Sequence, residues 1–353
     1  MNDSELLVID GSFGEGGGSI LRLGAGLSIL LKRPIRIKNI RANRPKSGLR
    51  LQHLKGLEAL ANLTNSSLSE CQVGTKEITL YPKQTLQSKI EVKIGTAGNI
   101  GLLLQPIQIA CLGFNKPEKI EILINGGGTF GKWAPSLNYL KEVTYQIFRN
   151  HGYDIDINIQ KHGFYPKGGA IVNCTLYPPK DKLKPISLTE LGKIDLIRGE
   201  IIITNQLRKN KVGERIRTSV LKHLKKNLDC NFKIDYNYVH SLSPGVGLSL
   251  WASSDTGAII SSGTILGERN ITSEKLGELA ANELLKYIKN GIPIDNYLSD
   301  QLIPFMGFVK DPSRIKVLKI TSHTKTNLEL IKLFLNRNYY IKKENTHFII
   351  ELH

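Results

Sequence analysis

Cysteine is scarce in this 353-residue chain: Cys71, Cys111, Cys174 and Cys230 lie far apart and no C-x-x-C pair occurs. That spacing suggests no zinc site and reads as reduced, structural thiols. Long apolar runs are missing too. The longest, Ile100 to Leu112, is interrupted by Gln105, Pro106 and Gln108 and is too short to cross a bilayer. The opening segment MNDSELLVIDG has no basic start, long apolar middle or cleavage site, so a cytoplasmic protein is expected. Acidic residues are outnumbered, 31 Asp plus Glu against 48 Lys plus Arg, a net charge of +17. Such a surplus favours a polyanionic partner without separating RNA from DNA or from a multiply phosphorylated small molecule; a generally basic surface is the plainer account. What remains is ordinary for a globular protein, 41% hydrophobic and 22% charged, and long enough for one large domain or two smaller ones.

The standard nucleotide loops are also lacking. Five glycines crowd into Gly11–Gly18, between the apolar Leu6–Ile9 and a helix-like run, but G-x-G-x-x-G fails at Ser19 and no Walker A lysine follows Gly16. Glu15 inside the cluster would repel a bare phosphate unless a cation stood between them. The loop therefore reads as metal-assisted or substrate-facing, with tight-turn scaffolding as the alternative.

Three stretches share one grammar, an apolar helix-like segment followed by a short strand rich in Ile and Lys: GSILRLGAGLSILLKRPIRIKNIR, GNIGLLLQPIQIACLGFNKPEKIEILI and TNLELIKLFLNRNYYIKKENTHFIIEL. Between roughly Pro185 and Thr272 the rhythm changes to GEIIITNQL, a basic helix near GERIRTSVLKHLKKNL, FKIDYNYV, VGLSLWASS and AIISSGTILG. This predicts an α+β protein: three repeated units over 1–184 and 273–353, and a smaller α/β domain inserted over 185–272. A helix over SEKLGELAANELLKYIKNG belongs, on this reading, to the larger part.

Three segments offer chemistry. KNIRANRPKSGLRLQHLKGL sets Lys38, Arg41, Arg44, Lys46 and Arg50 at a strand end, a turn and a helix start, where cations are electrostatically extravagant unless an anion is bound. In the same segment His53 is either a phosphate contact or an exposed helix residue. HGFYPKGGA, His162 to Ala170, reads as a tight connection between two strands. In KITSHTKTNLELIKLFL a strand gives way to a helix expected after Thr326, leaving His323 at the junction as a candidate neutral nucleophile or base.

Taken together, DGSFGEGGGSILR, RANRPKSGLRLQHL, HGFYPKGG, YLSDQL and TSHTKTN stand in the order and spacing of RNA 3′-terminal phosphate cyclases, and the chain resembles that family along essentially its whole length. The resemblance implies repeats similar to those of the enolpyruvyl-transferase group. It also implies ATP-dependent conversion of an RNA 3′-phosphate to a 2′,3′-cyclic end through a covalent histidine–AMP intermediate, with His323 as nucleophile. Carried over residue by residue, Gln105 and Tyr297, Leu298, Ser299, Asp300 and Gln301 would surround ATP, Tyr297 by stacking on adenine. Glu15 would present a divalent cation, Mg2+ or Mn2+, and Arg22, Arg41, Arg44, Gln52 and His53 would meet RNA or ATP phosphates. Ile259 and Ile260 stand where some relatives offer adenine an aromatic. The expected partners are RNA with a 3′-phosphate and ATP, with no membrane and with monomer or homodimer left open. A ribosome-assembly relative of the same fold is the competing reading, and it lacks the histidine that this chain has at 323.

Overall fold

A computed structural model describes residues 6–83, 85–132 and 134–353. In chain order the first sheet takes β1 (Leu7–Asp10), β2 (Ile35–Lys38), β3 (Ser67–Leu68) and β4 (Ile78–Tyr81), side by side as β1-β2-β4-β3. Helix α1 (Gly18–Leu31) links β1 to its parallel neighbour β2, and α2 (Leu51–Thr64) follows β2. The second sheet takes β5 (Lys89–Asn99), β6 (Ile120–Gly128), β7 (Asp154–Lys161) and β8 (Ile171–Tyr177) in the order β5-β6-β8-β7. Helix α3 (Ile100–Cys111) joins β5 to β6. After β6 come α4 (Leu137–Tyr139), a π turn over Leu140–Thr144 and α5 (Tyr145–Asn150).

Strand β9 (Ser187–Leu188) opens a third sheet that is not completed until far downstream. The chain first builds a five-stranded sheet from β10 (Ile194–Thr204), β11 (Asn231–Val239), β12 (Val246–Ser254), β13 (Ile259–Ser261) and β14 (Ile265–Leu266). A 3-10 turn over Asn205–Asn210 and helix α6 (Val212–Lys225) lie between β10 and β11, and α7 (Ser273–Lys289) follows β14. Then α8 (Asn296–Phe308), β15 (Ser313–Val317), α9 (Ser322–Leu335), β16 (Tyr339–Glu344) and β17 (His347–Leu352) close the third sheet as β9-β15-β17-β16. All three four-stranded sheets thus run first, second, fourth, third strand. The whole is a mixed fold of small sheets and packed helices, α+β in class.

Apolar pattern explains the layering. Helix α1, GSILRLGAGLSILL, buries nearly every side chain and so lies in the middle of the helical layer, against α2, α3 and α9. Gly26 makes its closest crossing possible: a Cβ there would sit 2.8 Å from the Pro106 carbonyl oxygen and 2.9 Å from Ile109 Cβ. The strands of the larger sheets alternate, as in Lys89–Ile94, with Ile90, Val92 and Ile94 turned inward.

Two expectations change. The second core joins Leu191, Ile197, Ile201 and Ile260 to Leu276, Ala280, Leu284, Leu285, Tyr287 and Ile292. Helix α7 therefore belongs to the inserted body, whereas Ser187–Leu188 pairs with β15 in the larger one. The insertion is better bounded by Leu191 and Ile292 than by 185 and 272. Helix α9, moreover, begins at Ser322 and not after Thr326, because Thr321 Oγ1 accepts the Thr324 amide at 2.9 Å as its cap. His323 lies inside the first turn. Among the described residues no helix is long and apolar enough to cross a membrane.

Candidate active site

Three parts of the chain meet around the glycine loop. Asp10 ends β1 and accepts hydrogen bonds from the Ser12 amide at 2.9 Å and from Asn39 Nδ2 at 3.2 Å, which turns the chain sharply. Gly14 and Gly16 adopt left-handed conformations, φ 57° and 59°, where a side chain would be strained. A Cβ on Gly14 would also strike Thr326 of α9, and one on Gly16 would strike Asn43. Asn43 in turn donates to the Ser12 carbonyl at 2.9 Å. The glycines thus let the loop lie flat between the start of α9 and the RANRPKSG segment. Gly17 caps α1 without a side chain, and no acidic residue follows in the first turn, so that helix start is left to the solvent or to an anion.

His323 faces Glu15 across this junction, with Nδ1 2.5 Å from Oε2. The other carboxylate oxygen of Glu15 pairs with Arg44. Glu15 Oε2 is buried and accepts no well-aligned hydrogen bond. Behind His323, Asp300 Oδ1 accepts from Thr321 Oγ1 at 2.8 Å and Thr324 Oγ1 at 2.7 Å. Asn327 Nδ2 donates to the Asp300 carbonyl at 2.9 Å, and Ser19 Oγ donates to Asn327 Oδ1 at 3.0 Å. These bonds lock α1, α8 and α9 into one frame.

Burial pushes the His323 pKa down; Arg22 and Arg44 add to this, and Asp300 opposes it. Glu15 contact alone would favour a proton, but shielding from water and two guanidiniums shift the ring toward its neutral form. Burial raises Asp300, while its two hydroxyl donors and His323 pull it back.

A second cluster flanks the loop on the side of α2 and α3. Arg22 donates from Nε to Gln105 Oε1 at 2.7 Å, and burial, with Arg41 nearby, lowers its pKa to about 10. No carboxylate pairs with it among the described residues. Arg41, at φ 55°, donates to the Lys46 and Gly48 carbonyls at 2.7 and 3.1 Å, so it shapes its loop as well as charging it. His53 is buried, 5% exposed, and its Nδ1 accepts the Arg50 amide at 3.2 Å. Desolvation and then Arg22, Arg41 and Arg50 push its pKa to about 3. This overturns the exposed reading of His53: it is a neutral ring whose Nε2 abuts Gly18 at the start of α1. Gln52 Oε1 accepts the Asn99 amide at 3.4 Å at the head of α3. A buried guanidinium with only an amide partner, beside more guanidiniums, is an arrangement built for an anion.

The YLSDQ segment divides. Tyr297 is 51% exposed and borders a cavity of about 250 Å³ lined also by Lys132, Pro135, Gly263, Thr264 and Leu266. Its ring packs on Gly263, whose φ of 68° and missing Cβ leave it room. Gln301 is half-buried. Leu298 and Ser299 are 0% exposed, and Ser299 Oγ donates to the Asn296 carbonyl. Their side chains face the core and support the helix. Ile259 and Ile260 are buried within the inserted sheet and offer nothing to a base.

Sequence reasoning missed Asn43, Thr321, Thr324 and Asn327, whose roles depend on partners far along the chain. It also missed Asp295, which has a local signal, a carboxylate just ahead of a helix and two residues after Pro293. Asp295 is 0% exposed and accepts from the Tyr297 and Leu298 amides, Tyr139 Oη and the Ser261 amide. Burial nonetheless pushes its pKa up to about 7 against those hydrogen bonds.

For a divalent cation the protein supplies little. Among the described residues no group of three or more His, Cys, Asp or Glu gathers. Glu15 faces Arg44 with one oxygen and His323 with the other, so a cation there would be held by this single carboxylate and chiefly by substrate phosphates, the usual habit of Mg2+.

The family model for RNA 3′-terminal phosphate cyclase matches residues 13–341. A protein of that name from Pyrococcus abyssi is 38% identical over 339 residues, 96% of either chain. One from Methanopyrus kandleri is 34% identical over 94% of this chain and 93% of its own, and one from Methanosarcina barkeri 37% over 96% and 97%.

Proposed function

The chain belongs to the RNA 3′-terminal phosphate cyclase family, and from that premise we propose that it uses ATP to convert an RNA 3′-phosphate into a 2′,3′-cyclic phosphodiester through His323. The observation that carries this reading is the His323 imidazole in the first turn of α9, one nitrogen against Glu15, with Arg22 and Arg44 near it and burial pushing its pKa down.

With Nδ1–H turned to Glu15, the lone pair is left on Nε2. Nε2 attacks the α-phosphorus of ATP, a nitrogen–phosphorus bond forms, the bond to the bridging oxygen breaks and pyrophosphate leaves. An oxygen of the RNA 3′-phosphate then attacks the same phosphorus and frees the histidine. Finally the neighbouring 2′-hydroxyl attacks the activated 3′-phosphate, loses its proton and expels AMP. Glu15 would hold a divalent cation that neutralises phosphate charge. Arg22, Arg41 and the first turn of α1 receive phosphate oxygens, while the neutral His53, its Nδ1 occupied by the Arg50 amide, donates from Nε2–H. Tyr297 stacks on adenine at its cavity. Asp300 positions the start of α9 through its two threonines. The shared strand order of the three four-stranded sheets supports reading the larger body as three repeats.

Incubation with α-labelled ATP and Mg2+ should leave an acid-labile AMP adduct on the protein. His323→Ala should leave none, and adduct formation at wild-type yield by that variant would refute the nucleophile.

A further inference from the structure

The HGFYPKGG turn between β7 and β8 takes no part in the phosphate site, yet Tyr165 at its tip is 81% exposed and Lys167 is exposed beside it. The base of the turn is fixed: Phe164 stacks on Phe130 at 5.0 Å between centroids, and His162 Nδ1 lies 3.0 Å from Thr129 Oγ1. An exposed aromatic held on an anchored turn offers a ring face on which a base can stack.

Contacts lead from this turn in two directions. Toward the phosphate site, a Cβ on Gly168 would lie 2.8 Å from the Thr96 carbonyl oxygen and 2.9 Å from Ala97 Cα. Asn99, two residues on, donates its amide to Gln52, the neighbour of His53. Toward the inserted body, the Lys167 amide donates to Ser243 Oγ at 3.1 Å, Gly169 abuts Leu242, and Gln206 Nε2 donates to the Ser241 carbonyl at 3.1 Å. Gln206 belongs to the 3-10 turn that carries Arg208 and Lys209, followed by Lys211, all exposed. Arg208 lies 4.5 Å over the ring of Tyr238.

From 205 to 226 there are eight Lys and Arg and one acid, Glu214. Glu214 accepts from Tyr238 Oη at 2.8 Å, and of the cations Arg215 is taken by Glu274 at 2.7 and 2.8 Å. Glu214 offsets Lys211 and Arg208 in part, which leaves the segment strongly basic. An exposed aromatic beside a cation surplus is how single strands are held without sequence preference, by stacking and phosphate contact.

We propose that Tyr165, Lys167 and the Arg208–Lys211 segment form one track for the nucleotides on the 5′ side of the reacting RNA end. This rests on the reading that the end is an RNA 3′-phosphate. The track takes RNA backbone and bases, and the inserted body is thereby part of substrate binding.

The test is fluorescence anisotropy with labelled 3′-phosphorylated oligoribonucleotides, a dinucleotide and a dodecamer, over a salt series. Tyr165→Ala, and separately the triple variant Arg208→Ala, Lys209→Ala, Lys211→Ala, should each bind the dodecamer roughly tenfold more weakly. The triple variant should also lose about 2 units of log–log salt slope, at about 0.7 per phosphate contact. Dinucleotide binding should be unchanged, and self-adenylylation, which needs no RNA, reports that the fold is intact. Wild-type dodecamer binding by both variants, or equal losses at both lengths, would overturn the track. So would intact RNA binding with lost retention of polyglutamate, which would assign the surface to an acidic polypeptide. Failure of the wild-type protein to cyclise the dodecamer would instead refute the proposed activity, and binding would still decide the track.

Discussion

His323 has two ring nitrogens and one of them is committed to Glu15, which makes its protonation state the first thing the chemistry depends on. Protonation would consume the lone pair on Nε2. Because burial and two guanidiniums lower this pKa, the neutral fraction at pH 6 exceeds that of a free imidazole, whose ordinary value is 6.5. The midpoint of adduct formation against pH should therefore lie below that of a free imidazole; a midpoint above 6.5 in a pH series of single-turnover rates would contradict this. Glu15→Gln keeps the shape but removes the charge. It should slow adduct formation on the order of ten- to a hundredfold and shift the Mg2+ dependence to higher concentration, measured by quenched-flow labelling. Arg22 was legible as a phosphate residue only through the family pattern. Its physical signature, burial beside a neutral amide from a helix 83 residues away, appears only when α1 and α3 are packed together.

At the scale of elements, the start of each helix decides what the site can hold. Helix α8 rests on Asp295, which accepts four donors from its own first turn, from α4 and from β13. Asp295→Ala removes the cap and strands buried donors, a loss of about 3 kcal/mol read as a lower urea midpoint. Gly26→Ala tests a contest of effects. Alanine favours an exposed helix by about 1 kcal/mol, but here the new methyl would press on the α3 backbone, so a net loss of roughly 1–2 kcal/mol is expected in the same titration. These elements were legible from apolar period, and the HGFYPKGG connection from its glycines. The start of α9 was not, because Thr321, Thr324 and Thr326 all satisfy the local rule for a cap and only Asp300, across the chain, selects the first. Nor was the ownership of α7, since an amphipathic stripe reads the same whichever core receives it. The burial of Leu298 and Ser299 beside the exposed Tyr297 follows from the helix turning adjacent residues to different faces.

The whole molecule responds to acid through its buried imidazoles. His53 and His162 take up protons only near about 3 and about 4 when folded, but at 6.5 when unfolded, so between these values the unfolded chain binds more protons. Their stabilising contribution is complete above 6.5 and is lost as pH falls. Asp295, raised to about 7, opposes them with one proton against two. The melting temperature should thus drop from pH 6.5 to pH 4.5, checked by calorimetry, and His53→Gln should flatten the drop. One more consequence comes from the bond between Ser19 and Asn327, which joins positions 308 apart, and from Thr326 lying on Gly14. During translation the glycine loop is made long before the histidine, with the entire inserted body between them. A chain terminated before His323 cannot hold the completed cradle.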